Sequence, residues 1–194
     1  MIGATVLAAG QSRRMGTQKL LLPWAGQPMV THVVDQVLGS PARPVIVVVG
    51  RAGQAMAEAL AGRPVMLVSN PDPQSEMLAS VRCGLKSLPP ACVGALVVLG
   101  DQPGMTSQLL GRLIAAFRDG PAGIVVPRCG GRRGHPILLP RRFFAEVLQR
   151  YEGVGLRGLL RQYPHDVVEV PIEGASTQWD VDTPDDYRRL HPPG

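Results

Sequence analysis

The sequence predicts a three-layer α/β/α protein built on a mostly parallel sheet. Three observations predict it. Short β-branched runs recur at even intervals along the 194 residues, and their near-continuous apolar character is that of strands buried on both faces. Segments with helical periodicity lie between them. Two of those segments close on glycine, the residue that ends helices without steric penalty. Such alternation builds parallel sheets through right-handed crossovers, and their ligands gather at the carboxyl ends of the strands.

The strand candidates are "ATVLAA" at 4–9, "VIVVVG" at 45–50, "VMLVS" at 65–69, "ALVVLG" at 95–100 and "GIVVP" at 123–127. The first helix is "PMVTHVVDQVLGS", in which Pro28 suits a first turn and Met29, Val30, Val33, Val34, Val37 and Leu38 make one apolar face. "QAMAEALAG", "MLASVRCGLKSL" and "TSQLLGRLIAAFRDG" follow the same period. After residue 127 the pattern changes to "RCGGRRGHPILLP", an extended hairpin around Gly130-Gly131, then to the helices "RRFFAEVLQR" and "LRGLLRQY". A strand, "DVVEVPI", and a last helix starting at Thr183-Pro184 complete the pattern. No repeat, low-complexity tract or linker interrupts it, so residues 1–194 are expected to form one domain.

Composition removes several function classes. With 45% hydrophobic residues the chain can bury a sizeable core. No apolar run reaches the roughly 18 residues of a membrane span, and no signal-peptide pattern opens the chain, so the cytoplasm is the expected location. Cys83, Cys92 and Cys129 lack C-x-x-C spacing, which points neither to a disulfide framework nor to zinc. The net charge of +5 is carried by arginine, Lys19 and Lys86 being the lysines. No basic run is interleaved with aromatics, which speaks against nucleic acid as a partner.

Chemistry is concentrated in three loops. "LAAGQSRRMGTQK", from Leu7 to Lys19, follows the first strand as a phosphate cradle does, with Arg13, Arg14 and Lys19 converging on a strand end. Five residues separate Gly10 from Gly16, and Lys19 comes three later. That spacing excludes the P-loop, and the loop itself contains no G-x-G-x-x-G. In "LGDQPG", Asp101 stands directly after a buried strand; a lone carboxylate beside phosphates suits Mg²⁺, which takes one or two protein oxygens and completes its shell with substrate. In "WDVDTPDDY", Thr183, Pro184, Asp185 and Asp186 are accounted for by helix capping. Asp180 and Asp182 are not, and either can be the second carboxylate on a metal.

Taken together, "LAAGQSRRMGTQKLLLPWAGQPMV", "GDQP", "GRRGHPILL" and "DVDTPDDY", in that order and over the whole chain, resemble the nucleotidyltransferases of molybdenum cofactor biosynthesis, and among them the cytidylyltransferase branch. The resemblance implies a nucleotide-diphospho-sugar transferase-like, Rossmann-like fold. It also implies transfer of CMP from CTP to molybdopterin, or to its molybdenum-loaded form, with release of pyrophosphate. Mg²⁺ is the implied cofactor, with Mn²⁺ as an alternative, and a molybdoenzyme apoprotein or its chaperone is a further implied partner.

Residue by residue, the resemblance places Leu7, Ala8, Ala9, Gly10, Arg13, Lys19, Ser75, Ser80 and Asp101 at the nucleotide. Arg13 and Lys19 are implied to grip the triphosphate, and Asp101, Asp182 and Asp180 to surround the metal. His135 and Arg133 of "GRRGHP" fall on the acceptor side, with Arg132 beside them. Ala9 stands where guanylyl-transferring relatives have a second glycine, which implies a methyl group against the base. Two positions depart from the family pattern: Glu76 replaces a common glycine, and Gly153 stands where many members carry an acid. A sugar- or polyol-phosphate nucleotidyltransferase, and a non-catalytic protein that holds and delivers the cofactor, are the competing readings.

Overall fold

The computed structural model describes residues 1–10, 18–72, 76–121, 123–173 and 180–190. Its sheet is formed by β1 (Ile2–Ala8), β4 (Val45–Val49), β5 (Met66–Ser69), β6 (Gly94–Leu99), β7 (Ile124–Cys129), β9 (Ile137–Pro140) and β10 (Val167–Pro171), in the order β10-β7-β9-β6-β1-β4-β5. The pairs β1/β4, β1/β6, β4/β5 and β7/β10 are parallel, whereas β9 runs antiparallel between β6 and β7.

Both faces of the central strands are covered, as their apolar runs require. Ala4, Val6, Ala8, Val47, Val49, Leu96 and Val98 point into a core shared with α1 (Met29–Leu38), α2 (Gly53–Ala59) and α4 (Ser107–Asp119). Leu7, Ile46, Val48, Val97 and Leu99 point the other way, into a core shared with α3 (Met77–Ser87), α5 (Phe144–Gln149) and α6 (Leu156–Gln162). The period of two in each strand divides one hydrophobic run between two helical layers. The third of the expected strands, "VMLVS", differs from expectation. β5 is an edge strand with Met66 exposed, because only β4 pairs with it.

Local chemistry sets the ends of these elements. Thr106 caps α4 by accepting a hydrogen bond from the Leu109 amide. Thr183 and Asp186 cap α7 (Pro184–Leu190) reciprocally, each side chain accepting the other's backbone N–H. Gly130 and Gly131, at φ of 53° and 79°, turn β7 into β8 (Arg132–Arg133), the two-residue geometry that hairpins favour. A second hairpin, β2 (Pro23–Trp24) and β3 (Gln27–Pro28), turns at Ala25-Gly26 ahead of α1; the sequence reading did not anticipate it.

The chain switches direction at β1, with β4 on one side and β6 on the other. In an open parallel sheet that is where a crevice opens at the carboxyl ends. Two glycines keep it narrow. A Cβ on Gly50, just past β4, would stand 2.8 Å from the Ala9 carbonyl oxygen, and one on Gly100, just past β6, would stand 2.8 Å from that of Leu7. The backbone leaving β1 is therefore pinched between its neighbours.

Candidate active site

Lys19 heads a single 3₁₀ turn, Lys19–Leu21, at the end of the loop after β1, and Leu20 anchors that turn in the core. Its ammonium group reaches back over the mouth of the sheet. Nζ donates to Asp101 Oδ2 at 2.6 Å and to Asp182 Oδ1 at 2.9 Å, although the residue is only 8% exposed. Burial works against its charge, but the two carboxylates outweigh burial and hold its pKa above the ordinary lysine value.

Asp101 follows β6 with only Gly100 between them. Asp182 arrives from far along the chain because Val181 is fully buried and its amide donates to the Asp101 carbonyl at 3.0 Å. The alternation of extended chain then places Asp180 and Asp182 on either side of that anchor. They are used differently. Asp182 joins the cation, while Asp180 accepts a 2.7 Å hydrogen bond from the buried Gln102 amide. Burial raises the Asp180 pKa against that bond, and the nearby Asp101 and Asp182 push in the same direction.

The donor set suits a hard divalent cation. Asp101 and Asp182 already converge on one positive charge, and both offer the oxygens that Mg²⁺ and Mn²⁺ take. Among the described residues no cluster of three or more side chains could hold a metal alone. Two protein oxygens supplemented by substrate phosphates are therefore the arrangement this site fits.

Beside this cluster lies a pocket of about 180 Å³ lined by Leu7, Ala9, Gly10, Asn70, Ser80, Asp101 and their neighbours. Asn70 follows β5 as Asp101 follows β6. Its side-chain amide donates to Ser80 Oγ at 3.0 Å and its oxygen accepts the Asp72 amide at 3.1 Å, which fixes the pocket wall. Leu7, Ala9, Gly10, Ser80 and Asp101, five of the residues expected at the nucleotide, thus line one pocket. Ala8 does not line the pocket, because its side chain is packed into the opposite core. Arg13, Arg14 and Ser75 lie outside the described residues.

A second, larger pocket of about 260 Å³ opens between the first turn of α3 and the loop leading into α6. Met77 lines both pockets. His135 forms part of the second, and burial lowers its pKa from 6.5 to about 4; Asp101 works against that shift and Arg157 adds to it. The imidazole is therefore neutral at pH 7. Arg133 is not brought here. It pairs with Glu169 at 2.7 Å on β10, where Arg128 also binds Glu169. The cation at the pocket is Arg157. Sequence reasoning missed Asn70, Gln102 and Arg157. A detectable signal existed for Asn70, a polar residue directly after a strand, and for Gly50 and Gly100, each closing a β-branched run.

The model of the MobA-like NTP transferase domain matches residues 4–167. The chain belongs to the MobA-like NTP transferase family. Among similar proteins, the molybdenum cofactor cytidylyltransferase of Escherichia coli K12 is 29% identical over 96% of this chain and 93% of its own. The nicotine blue oxidoreductase of Paenarthrobacter nicotinovorans is 32% identical over 97% and 96%. Rv0371c of Mycobacterium tuberculosis H37Rv superposes with a TM-score of 0.88 at 34% identity, covering 98% of this chain and 96% of that one. A crystal structure of Rv0371c complexed with manganese superposes at 0.82 and 32% identity, covering 98% and 97%. This MobA-like transferase therefore has a Rossmann-like nucleotidyltransferase fold. No helix among its described residues is long and apolar enough to cross a membrane.

Proposed function

We propose that this MobA-like transferase moves CMP from CTP to the phosphate of molybdopterin, or of its molybdenum-loaded form, and releases pyrophosphate. The observation that carries the reading is the convergence of Lys19, Asp101 and Asp182 beside the pocket that Asp101 lines, a pocket that shares Met77 with the second one. One pocket takes the nucleotide, the other the acceptor, and the charged cluster lies where the phosphates meet. Ala9 in the nucleotide pocket supports a pyrimidine donor, since its methyl group narrows the space a purine needs.

The reaction needs no general base, because the attacking oxygen belongs to an ionised phosphate. That oxygen bonds to the α-phosphorus of CTP, the bond from the α-phosphorus to the bridging oxygen breaks, and pyrophosphate leaves with the electron pair. What remains for the protein is positioning and neutralisation of charge. Asp101 and Asp182 would hold a divalent cation, which when bound supplies Lewis-acid neutralisation of the phosphate oxygens. Lys19, released from those carboxylates, turns to the triphosphate and stabilises the charge shifting onto the leaving group. Gln102 keeps Asp180 aside, and neutral His135 leaves the acceptor side free of an added positive charge.

The direct test is pyrophosphate release from each nucleoside triphosphate, with Mg²⁺ or Mn²⁺ and molybdenum-loaded molybdopterin as acceptor. Turnover with CTP and not GTP is expected. Preference for GTP, or turnover only with sugar phosphates, refutes the assignment.

A further inference from the structure

The acceptor pocket has a chemical character that its place beside the nucleotide does not require. Its walls are aliphatic, from Met77, Leu78, Val81, Ile137, Val154 and Leu156. Met77 and Val154 remain 55% and 47% exposed at its rim. Among the described residues, only Glu76, His135 and Arg157 bring polar side chains to it. Such a lining matches the faces of a flat ring and leaves the hydroxyl groups of a sugar unsatisfied.

The two charged residues, Glu76 and Arg157, form no ion pair with each other among the described residues. Glu76 Oε2 accepts the Gly153 amide at 3.0 Å, which orients the carboxylate, while Oε1 has no hydrogen-bond partner among the described residues. Arg82 secures the same loop from further along α3, donating to the Val147 and Arg150 carbonyls and to Glu152. Glu76 is thus held by a pre-fixed loop and not by a floppy one. Arg157 has no carboxylate or carbonyl partner among the described residues, and it stands with Asp101 in electrostatic reach of His135.

Resting on the acceptor reading above, we infer that Glu76 is the specificity residue for the acceptor's ring, its carboxylate taking the paired N–H donors of a 2-amino-4-oxopyrimidine edge, and that Arg157 holds the acceptor's phosphate. A carboxylate facing two parallel N–H groups makes a bidentate, charge-assisted pair. A guanidinium offers the same fork geometry to phosphate oxygens. The aliphatic walls cover the ring between them. Removing the 2-amino group from the ligand must then matter only while Glu76 is present.

The experiment measures binding without turnover, by ligand-observed NMR or fluorescence. Wild-type protein, Glu76→Ala and Glu76→Gln are titrated with 2-amino-4-oxopteridine and with 4-oxopteridine, which lacks the amino group. The wild type should bind the amino compound at least about tenfold more tightly. In Glu76→Ala the two ligands should converge to within about twofold through weakening of the amino compound alone, with Glu76→Gln between. Arg157→Gln should weaken 6-(hydroxymethyl)pterin monophosphate about tenfold and leave unphosphorylated 6-(hydroxymethyl)pterin unchanged. Equal weakening of both pteridines by Glu76→Ala makes Glu76 a latch for the loop and overturns the inference. No discrimination by the wild type, or equal loss of both hydroxymethyl compounds in Arg157→Gln, overturns it as well. CTP binding with Mn²⁺, measured on the same samples, separates the two readings: failure there strikes the donor assignment and leaves the acceptor result standing.

Discussion

Replacing Lys19 by methionine removes the positive charge to which both Asp101 and Asp182 are hydrogen-bonded while keeping an unbranched side chain of similar reach. The two distances of 2.6 and 2.9 Å to a common nitrogen place those oxygens at most ~5.5 Å apart. At an effective dielectric constant near 20, two unit charges at that separation repel by about 3 kcal/mol. The carboxylate side chains are 24% and 33% exposed, so solvent and salt reduce this. Adding the two lost charge-assisted hydrogen bonds, and offsetting them by the apolar burial of methionine, gives a destabilisation of about 2 kcal/mol. For a chain of this length that lowers Tm by about 4–8 °C. With the Lys19 charge gone, the carboxylate pair should attract Mn²⁺ in the absence of nucleotide about 30-fold more tightly, since 1.4 kcal/mol is a factor of ten. Thermal unfolding with and without Mn²⁺, and Mn²⁺ titration followed by electron paramagnetic resonance, read both effects. Mn²⁺ should restore the variant more than it stabilises the wild type, while turnover is lost. A Tm within a degree of wild type, together with equal stabilisation of both proteins by Mn²⁺, would refute the reasoning.

Four further perturbations address the rest of the site and its support. Asp182→Ala should raise the metal concentration needed for turnover more than Asp180→Ala does, because only Asp182 shares the cation with Asp101; a reversed ranking in a metal titration reassigns the ligand. Ala9→Gly should relax the preference for CTP over GTP, measured as the ratio of kcat/KM values, and an unchanged ratio removes the steric explanation. His135 has a folded pKa of about 4, below its unfolded value near 6.5, so the unfolded chain takes up the proton first. Its contribution is complete above pH 6.5 and is lost as pH falls toward 4, by about 1–2 kcal/mol for a ring partly open to a pocket. Urea unfolding of His135→Gln should show a flatter pH dependence over that window than the wild type, and parallel curves would contradict the assignment. Gly84→Ala would bring a Cβ to 1.9 Å from Thr5 Oγ1 and 2.9 Å from Thr5 Cβ, where α3 lies on β1. It should lower stability by about 1–3 kcal/mol in chemical denaturation, with partial recovery in the Thr5→Ala background; full stability would mean the helix shifts freely on the sheet.

Local pattern was enough for the layers. β-branched runs such as Val45–Val49 and Gly94–Leu99 had to be strands covered on both sides, because nothing else hides every side chain of an unbroken apolar run. The apolar stripe of α1 and the Thr183/Asp186 cap of α7 were equally local, set by residues three and four apart. Asp101 and the loop ending at Lys19 were legible as site residues because both directly follow strands. Long-range packing decided the rest. β9 slips between β6 and β7, and β5 is left at the edge, since strand order depends on which sheet edge is open and not on the strand's own composition. Asp180 and Asp182 are equivalent in the sequence, and only the burial of Val181 against the Asp101 backbone aims one at Lys19 and the other at Gln102. Arg133 and Arg157 are both arginines near a pocket-forming segment, yet Glu169 on a neighbouring strand claims the first and nothing among the described residues claims the second. A residue's type carries its chemistry, but which charge meets which is settled by groups far apart in the chain that the folded sheet brings within a few ångströms.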